Sequence, residues 1–262
     1  MRFIIFIGLL ATAFAVPRSP SRIVGGSATD ISAYSFMSNM QYSQIGIWWS
    51  LSCGGSLLTS TAVLSAAHCF YGDFVWQWRV VLGSSLAHSG GTVHTTNRIV
   101  LHPQYDDDAI NFDVAIVHLN NPAVYTVNVQ PGSIAGSNYN VSDGTSVTHV
   151  GWGALWYWGP TSEQLQHVDV NIINQELCAA RYAYLKTQPR YEHWPDITSN
   201  MLCAGVLDVG GRDACSGDSG GPLLHNNVIV GVTSWGFECA DPFYPGVSAR
   251  VSYFSNWIVA NA

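Results

Sequence analysis

Three short segments carry side chains that do acyl-transfer chemistry when brought together. Ser65-Ala66-Ala67-His68-Cys69 supplies an imidazole, Asn111-Phe112-Asp113-Val114-Ala115 a carboxylate, and Gly217-Asp218-Ser219-Gly220-Gly221-Pro222 a hydroxyl. A serine hydroxyl is a weak nucleophile until an imidazole takes its proton. That imidazole in turn needs a carboxylate to fix its tautomer and steady its positive charge. The chain order His, Asp, Ser is one of several that such triads use. A lone histidine or a lone Gly-x-Ser-x-Gly is weak evidence. Here Gly217-x-Ser219-x-Gly221 sits in a glycine-rich loop able to turn two backbone N–H groups toward a developing oxyanion, and all three segments occur in order.

The elements that must position these groups read as strands. Runs rich in Val, Ile, Thr and aromatics, such as Trp78–Leu82, Val114–Leu119, Ser146–Val150 and Val228–Ser234, are separated by Gly, Asn, Asp, Ser and Pro clusters. That rhythm predicts an all-β protein of barrels or sandwiches, without βαβ units. Val251–Val259 spaces its bulky apolar residues helically and is the one segment read as a helix. Pro131-Gly132-Ser133 and Gly136-Ser137-Asn138 mark a seam, and Asn140-Val141-Ser142 within it is the only N-glycosylation sequon.

Composition narrows the class further. Hydrophobic residues make up 48% of the 262 residues and charged ones 10%, enough for a packed core and far from disorder. The net charge of −7, with no run of Lys and Arg, excludes a nucleic-acid partner. Arg2 followed by apolar Phe3 to Val16 and the small-x-small triplet Ala13-Phe14-Ala15 reads as a signal peptide over residues 1–15. It is shorter than the roughly 20 residues a membrane span needs. The expectation is a secreted, extracellular protein with no membrane partner. Its six cysteines then belong to an oxidising compartment, where six can pair in fifteen ways. No CxxC pair or zinc-like spacing occurs, and no metal or cofactor is expected.

The chain resembles the chymotrypsin/trypsin family of serine proteases from Ile23 to its end. The resemblance is carried by Arg22-Ile23-Val24-Gly25-Gly26, Ala66-Ala67-His68-Cys69, Asp113-Val114-Ala115, Gly151-Trp152-Gly153, Gly217–Pro222 and Ser234-Trp235-Gly236. It implies two packed six-stranded antiparallel β-barrels, over residues 23–130 and 131–246, with a C-terminal helix over 248–260. It also implies His68 as general base, Asp113 as its orienting carboxylate, Ser219 as nucleophile, and the N–H groups of Gly217 and Ser219 as oxyanion hole. The disulfides implied are Cys53–Cys69, Cys178–Cys203 and Cys215–Cys239. Residues 16–22 become an activation peptide: cleavage after Arg22 frees the Ile23 amine to pair with Asp218.

Specificity follows from the same resemblance. Asp213, six residues before Ser219, falls on the family's pocket floor, where a carboxylate selects a cationic side chain. Ser234, Trp235, Gly236 and Gly246 fall on the pocket walls. Two positions depart from the usual pattern. Ala214 replaces a serine whose hydroxyl helps solvate a lysine ammonium; arginine grips a carboxylate bidentately without that help, so cleavage after Arg is expected to exceed cleavage after Lys. Glu238 stands where many trypsins have glycine. Ile110 matches the wall for the residue preceding the cleaved one, while Asp106-Asp107-Asp108 reads mainly as a solvated acidic loop. Leu155-Trp156-Tyr157-Trp158 falls on the leaving-group side, where it either grips substrate or packs on its neighbours. The segment 83–95 holds no Asp or Glu, so no calcium site is carried over.

Within the family the chain is most like secreted insect digestive trypsins. Beyond residue 22 it keeps one lysine, Lys186, and its seven basic residues face seventeen acidic ones, a formal charge of −10. Guanidinium groups keep their charge where ammonium groups lose it, which suits an alkaline gut. The expected partners are protein and peptide substrates with Arg or Lys and protein protease inhibitors, met by a monomer. A regulatory or venom protease of the same chemistry is the alternative. A catalytically dead homologue used as a binding module is the competing class, disfavoured because His68, Asp113 and Ser219 are all present.

Overall fold

A computed structural model describes residues 23–262. The expected signal peptide and the expected activation peptide, Arg22 included, lie outside the described residues. The first barrel is built from β2 (Met37–Tyr42), β3 (Ser50–Leu57), β4 (Ala62–Ser65), β5 (Trp78–Leu82), β6 (Thr92–Leu101) and β7 (Ala115–Leu119). These close antiparallel in the order β2-β3-β4-β7-β6-β5. Closure leaves no sheet edge open and turns alternate residues inward, so Met37, Leu57, Leu64, Val80 and Ile116 are fully buried. Each such side chain contributes about 1.5–3 kcal/mol of burial.

The second barrel comprises β9 (Ser146–Gly151), β10 (Gln166–Ile173), β11 (Met201–Gly205), β12 (Pro222–His225), β13 (Val228–Trp235) and β14 (Gly246–Arg250). Its ring runs β9-β10-β11-β14-β13-β12 and returns to β9. In β10, Gln166, Val168, Val170 and Ile172 point inward while Asp169 and Asn171 are exposed, the alternation a half-solvated strand requires. Two short strands augment this barrel. β1 (Ser27–Ala28) pairs with β10, and β8 (Ser133–Ile134) pairs parallel to β13. Residues 27–28, assigned from sequence to the first barrel, therefore hydrogen-bond to the second.

Two α-helices among the described residues complete the fold. The C-terminal helix, α2 (Val251–Asn261), starts three residues later than the expected 248, because residues 248–250 remain in β14. It buries Val251, Phe254, Ser255 and Ile258, an i, i+3, i+4, i+7 stripe, and packs on β8 and β13. The other helix, α1 (Gln175–Leu185), was not anticipated. Asn174 caps it by accepting from Leu177 N at 3.0 Å, and Cys178, Tyr182 and Leu185 form its buried stripe. The three disulfides pair Cys53–Cys69, Cys178–Cys203 and Cys215–Cys239. Among the described residues no helix is long and apolar enough to cross a membrane.

Candidate active site

His68 and Asp113 are brought together by strand register. β4 and β7 pair Ser65 with Ala115, so the turn that follows β4 and the loop that precedes β7 meet at one end of the first barrel. The Asp113 carboxylate is 2% exposed and receives three donors. His68 N–H donates to Oδ1 at 2.8 Å, His68 Nδ1 lies 2.7 Å from Oδ2, and the Ser234 hydroxyl donates to Oδ2. With Nδ1–H turned to the carboxylate, Nε2 is left as the basic nitrogen. Burial pulls His68 down, but the charge and hydrogen bond of Asp113, with Asp107 adding, outweigh it and hold the imidazole above its ordinary 6.5.

The Asp113 loop is anchored from outside. The His102 ring stacks on Phe112 at 5.1 Å, and Phe254 and Trp257 of α2 pack against His102. Ile110 and Phe112 both have positive φ, 43° and 54°. For a β-branched residue that backbone is strained, and it persists where packing over-determines the loop. The acidic run beside it is largely used in its own turn: Asp106 accepts from Asp108 N and Ala109 N, and Asp107 accepts from the Tyr105 hydroxyl.

Ser219 belongs to the second barrel but is docked on the first. Its carbonyl accepts from Gly54 N of β3 at 2.7 Å. Gly220 has φ +77°, and a Cβ there would lie 2.1 Å from Ser65 Oγ, so only glycine permits this approach. The ring nitrogens of His68 contact Asp113 and, at 3.9 Å, the Cys69 sulfur; no hydrogen bond to Ser219 Oγ is formed, as is common before substrate fills such a site. Asp218, Gly220 and Gly221 each donate their N–H to a backbone carbonyl. Among the described residues the N–H groups of Gly217 and Ser219 donate to none, which leaves them available to an oxyanion.

Ser219 also lines a cavity of about 380 Å³, together with Asp213, Ala214, Ser234, Trp235, Gly236, Glu238 and Gly246. Asp213 is 5% exposed and accepts from Ala214 N at 2.8 Å and Ala240 N at 3.4 Å. Burial nevertheless pushes its carboxyl up to about 7, with Asp218 adding to the rise. A Cβ on Gly246 would sit 3.0 Å from Asp213 Oδ1, so a side chain there would fill the slot. A Cβ on Gly236 would lie 3.5 Å from Gly246 Cα, so these two glycines are neighbours in the wall. Glu238, exposed at φ +57°, occupies a left-handed position that suits glycine. Tyr157 reaches the cavity, whereas Trp158 is exposed.

Asp218 is buried beneath β9. Its oxygens accept from Gly153 N at 2.7 Å and Cys215 N at 2.9 Å, and burial raises it to about 6. No salt bridge pairs it with a cation among the described residues. The chain just beyond residue 22 lies against the Asp213 loop: Val24 O accepts from Asp213 N at 3.2 Å.

The comparisons with known proteins bear on the family. The model of the trypsin family matches residues 23–258. The chain belongs to the trypsin family. It is 48% identical to alkaline trypsin B of Manduca sexta, over 98% of this chain and 99% of that one. It is 47% identical to trypsin CFT-1 of Choristoneura fumiferana, over 97% and 96%, and 39% identical to achelase-1 of Lonomia achelous, over 92% and 100%. The protein is thus a trypsin-like serine endopeptidase with the two-barrel trypsin fold. Among the cavity-lining residues that sequence reading missed are His149, Thr233, Tyr191 and Trp194. For His149 a signal existed, since it is an ionisable residue on the inward phase of a strand.

Proposed function

We propose that this trypsin is secreted as a zymogen, is activated by cleavage between Arg22 and Ile23, and hydrolyses peptide bonds after arginine and, less readily, lysine. The observation that carries this reading is a buried carboxylate, Asp213, in the same cavity as Ser219. A cationic side chain that balances Asp213 brings its own carbonyl to the Ser219 hydroxyl. His68 Nε2 takes the proton as Ser219 attacks, and Asp113 steadies the imidazolium. The N–H groups of Gly217 and Ser219 bind the oxyanion. His68 then protonates the leaving amine, and water repeats the sequence to release the acid.

Activation uses Asp218. Cleavage after Arg22 converts the Ile23 amide into an ammonium, which pairs with this carboxylate and orders the oxyanion loop. Trypsin-like proteases act on protein substrates and are bound by protease inhibitors; a monomer with Arg or Lys substrates fits here. Digestion in an alkaline gut suits the single lysine after residue 22 and the word alkaline in the Manduca names. Asn140 is exposed, as an occupied sequon must be. The test is the cleavage profile of the activated enzyme on a mixed peptide library. Arginine before the cut bond in most products, with lysine second, is expected; an apolar preference at that position refutes the reading.

A further inference from the structure

The cavity wall holds an ionisable side chain that this mechanism leaves idle. His149 lies in the middle of β9, 3% exposed, and lines the cavity with Asp213. Its Nε2 is 3.9 Å from Asp213 Oδ1, and its Nδ1 is 3.2 Å from the Thr233 hydroxyl of β13. Its strand neighbours look elsewhere. Opposite it stand Val168 of β10 and Leu223 of β12, both apolar. Thr148 and Asp169 bond each other, His167 bonds Tyr34, and His225 bonds Tyr139. The titratable groups on its own side are Asp213, Asp218 packed under Gly151 and Gly153, Tyr182 of α1, whose hydroxyl Asp213 helps to push up, and Glu238, Tyr157 and Tyr191, which line the same cavity. No Lys or Arg lines the cavity among the described residues. His149 is therefore the one cavity side chain able to answer Asp213 with a positive charge.

We propose that His149 and Asp213 hold one exchangeable proton between them at the base of the specificity pocket, so that a substrate's cationic side chain binds in competition with that proton. The proposal rests on reading Asp213 as the group that recognises the substrate cation. Burial disfavours a bare carboxylate and an imidazolium alike, which leaves the pair carrying one proton, net neutral, as the favoured state of an empty pocket near neutrality. The proton resides on the carboxyl or on the imidazole. Entry of a guanidinium restores charge balance, and the proton leaves to solvent; one cation replaces another. At alkaline pH there is no proton to expel, and the substrate binds at full affinity. His149 is thus a positioning residue that acts through Asp213 and confines tight binding to alkaline media.

Benzamidine tests this, because its amidinium stays charged throughout and its binding requires no turnover. Calorimetry on the activated enzyme from pH 5 to 9, in buffers of differing ionisation heat, counts protons. Release of about one proton per benzamidine near pH 6, falling to zero by pH 9, is expected, with affinity weakening about tenfold per unit below the titration. In His149→Gln and His149→Leu the midpoint should fall by about one unit or more, since the carboxylate has lost its partner base. With an Arg substrate the change should appear in the acid limb of KM, while the kcat limb set by His68 serves as reference. Absence of proton release from the unaltered enzyme overturns the proposal whether or not the variants fold, as does an unchanged midpoint in either folded variant. Wild-type benzamidine affinity in Asp213→Asn at pH 9 would instead sink the pocket reading itself.

Discussion

Asp113 on one side of the cleft, and Asp213 with Asp218 on the other, are all buried carboxylates, but they are balanced in different ways. Asp113 takes the His68 ring, the His68 N–H and the Ser234 hydroxyl, so its charge is answered within the fold. Asp213 and Asp218 receive only backbone N–H groups at hydrogen-bond distance and are pushed up to about 7 and 6. A buried charge is costly unless paired. The difference separates two kinds of site. The Asp113 carboxylate is partnered before anything binds, whereas the wall of the second barrel holds two carboxylates without a Lys or Arg partner among the described residues. On the proposed reading they take a substrate side chain, for Asp213, and the freed Ile23 amine, for Asp218.

The comparison breaks most decisively at Asp213. Asp213→Ser removes the charge that a cationic substrate answers, so kcat/KM on an Arg substrate should fall by about 10⁴, roughly 5–6 kcal/mol of transition-state stabilisation. Labelling of Ser219 by a small organophosphate should persist, since neither Asp113 nor His68 is bonded to Asp213. Loss of both activities together would mean that the two sides are not separable.

Asp218 gives the next largest effect. Its folded value, about 6, lies above the ordinary 3.8, so the folded chain binds that proton more tightly than the unfolded one. Stability from this group is complete below about 3.8 and is lost as pH climbs through about 6, some 3 kcal/mol in all. An Ile23 ammonium offsets that loss. In the Ser219→Ala background, urea unfolding before and after processing should therefore diverge at pH 8 by about 3 kcal/mol and converge near pH 4.5. A gap equal at both pH values would show that Asp218 is not the amine's partner. The ammonium follows the same sign in a higher window: a raised cation stabilises fully below about 7.7–8.0 and loses its effect as pH rises through its folded value. Activity holding to about pH 10 marks a tightly held amine, and a fall beginning near 8.5 removes the alkaline reading.

What could be read from the sequence was local or carried by motif, and what could not was long-range. The strands showed because alternation and turn residues repeat within ten residues. The segments holding His68, Asp113 and Ser219 each announce their chemistry. Helix α1 escaped because only Cys178, Tyr182 and Leu185 of its eleven residues are buried, a narrow stripe among polar neighbours. The expected start of α2 erred for a different reason, since residues 248–250 are claimed by strand partners far away in sequence. The Ser234 bond to Asp113 spans 121 positions and joins the two barrels. His149 and Asp213 meet only because the second barrel closes. Periodicity turns a residue inward but does not name what it faces.

The catalytic corner can be tested by the same logic as the wall. Ser234→Ala removes one donor that fixes the Asp113 carboxylate, and hydrogen bonds to charged groups contribute about 1.5–3 kcal/mol, so the less firmly placed carboxylate should lower kcat by about 10–100-fold. A carboxylate with fewer donors holds the imidazolium more strongly, so the acid limb, already above 6.5, should move to higher pH. An unchanged limb would mean that the hydroxyl does not tune the His68–Asp113 pair.

The smallest expected effect sharpens the wall rather than breaking it. Ala214 lends Asp213 its N–H at 2.8 Å but offers the cavity only a methyl group. An arginine answers Asp213 with two parallel donors and needs nothing further, whereas an ammonium is a compact, strongly hydrated charge that must find several acceptors. Ala214→Ser adds one acceptor beside the carboxylate, so the ratio of Lys to Arg cleavage should rise about three- to tenfold, close to the 1 kcal/mol of one hydrogen bond. The Arg rate itself should hardly move, which distinguishes this change from a general widening of the pocket. A ratio unaltered by the new hydroxyl would place the origin of arginine preference elsewhere. Glu238 would then be the next residue to substitute, because it lines the same cavity and carries the only other carboxylate there among the described residues.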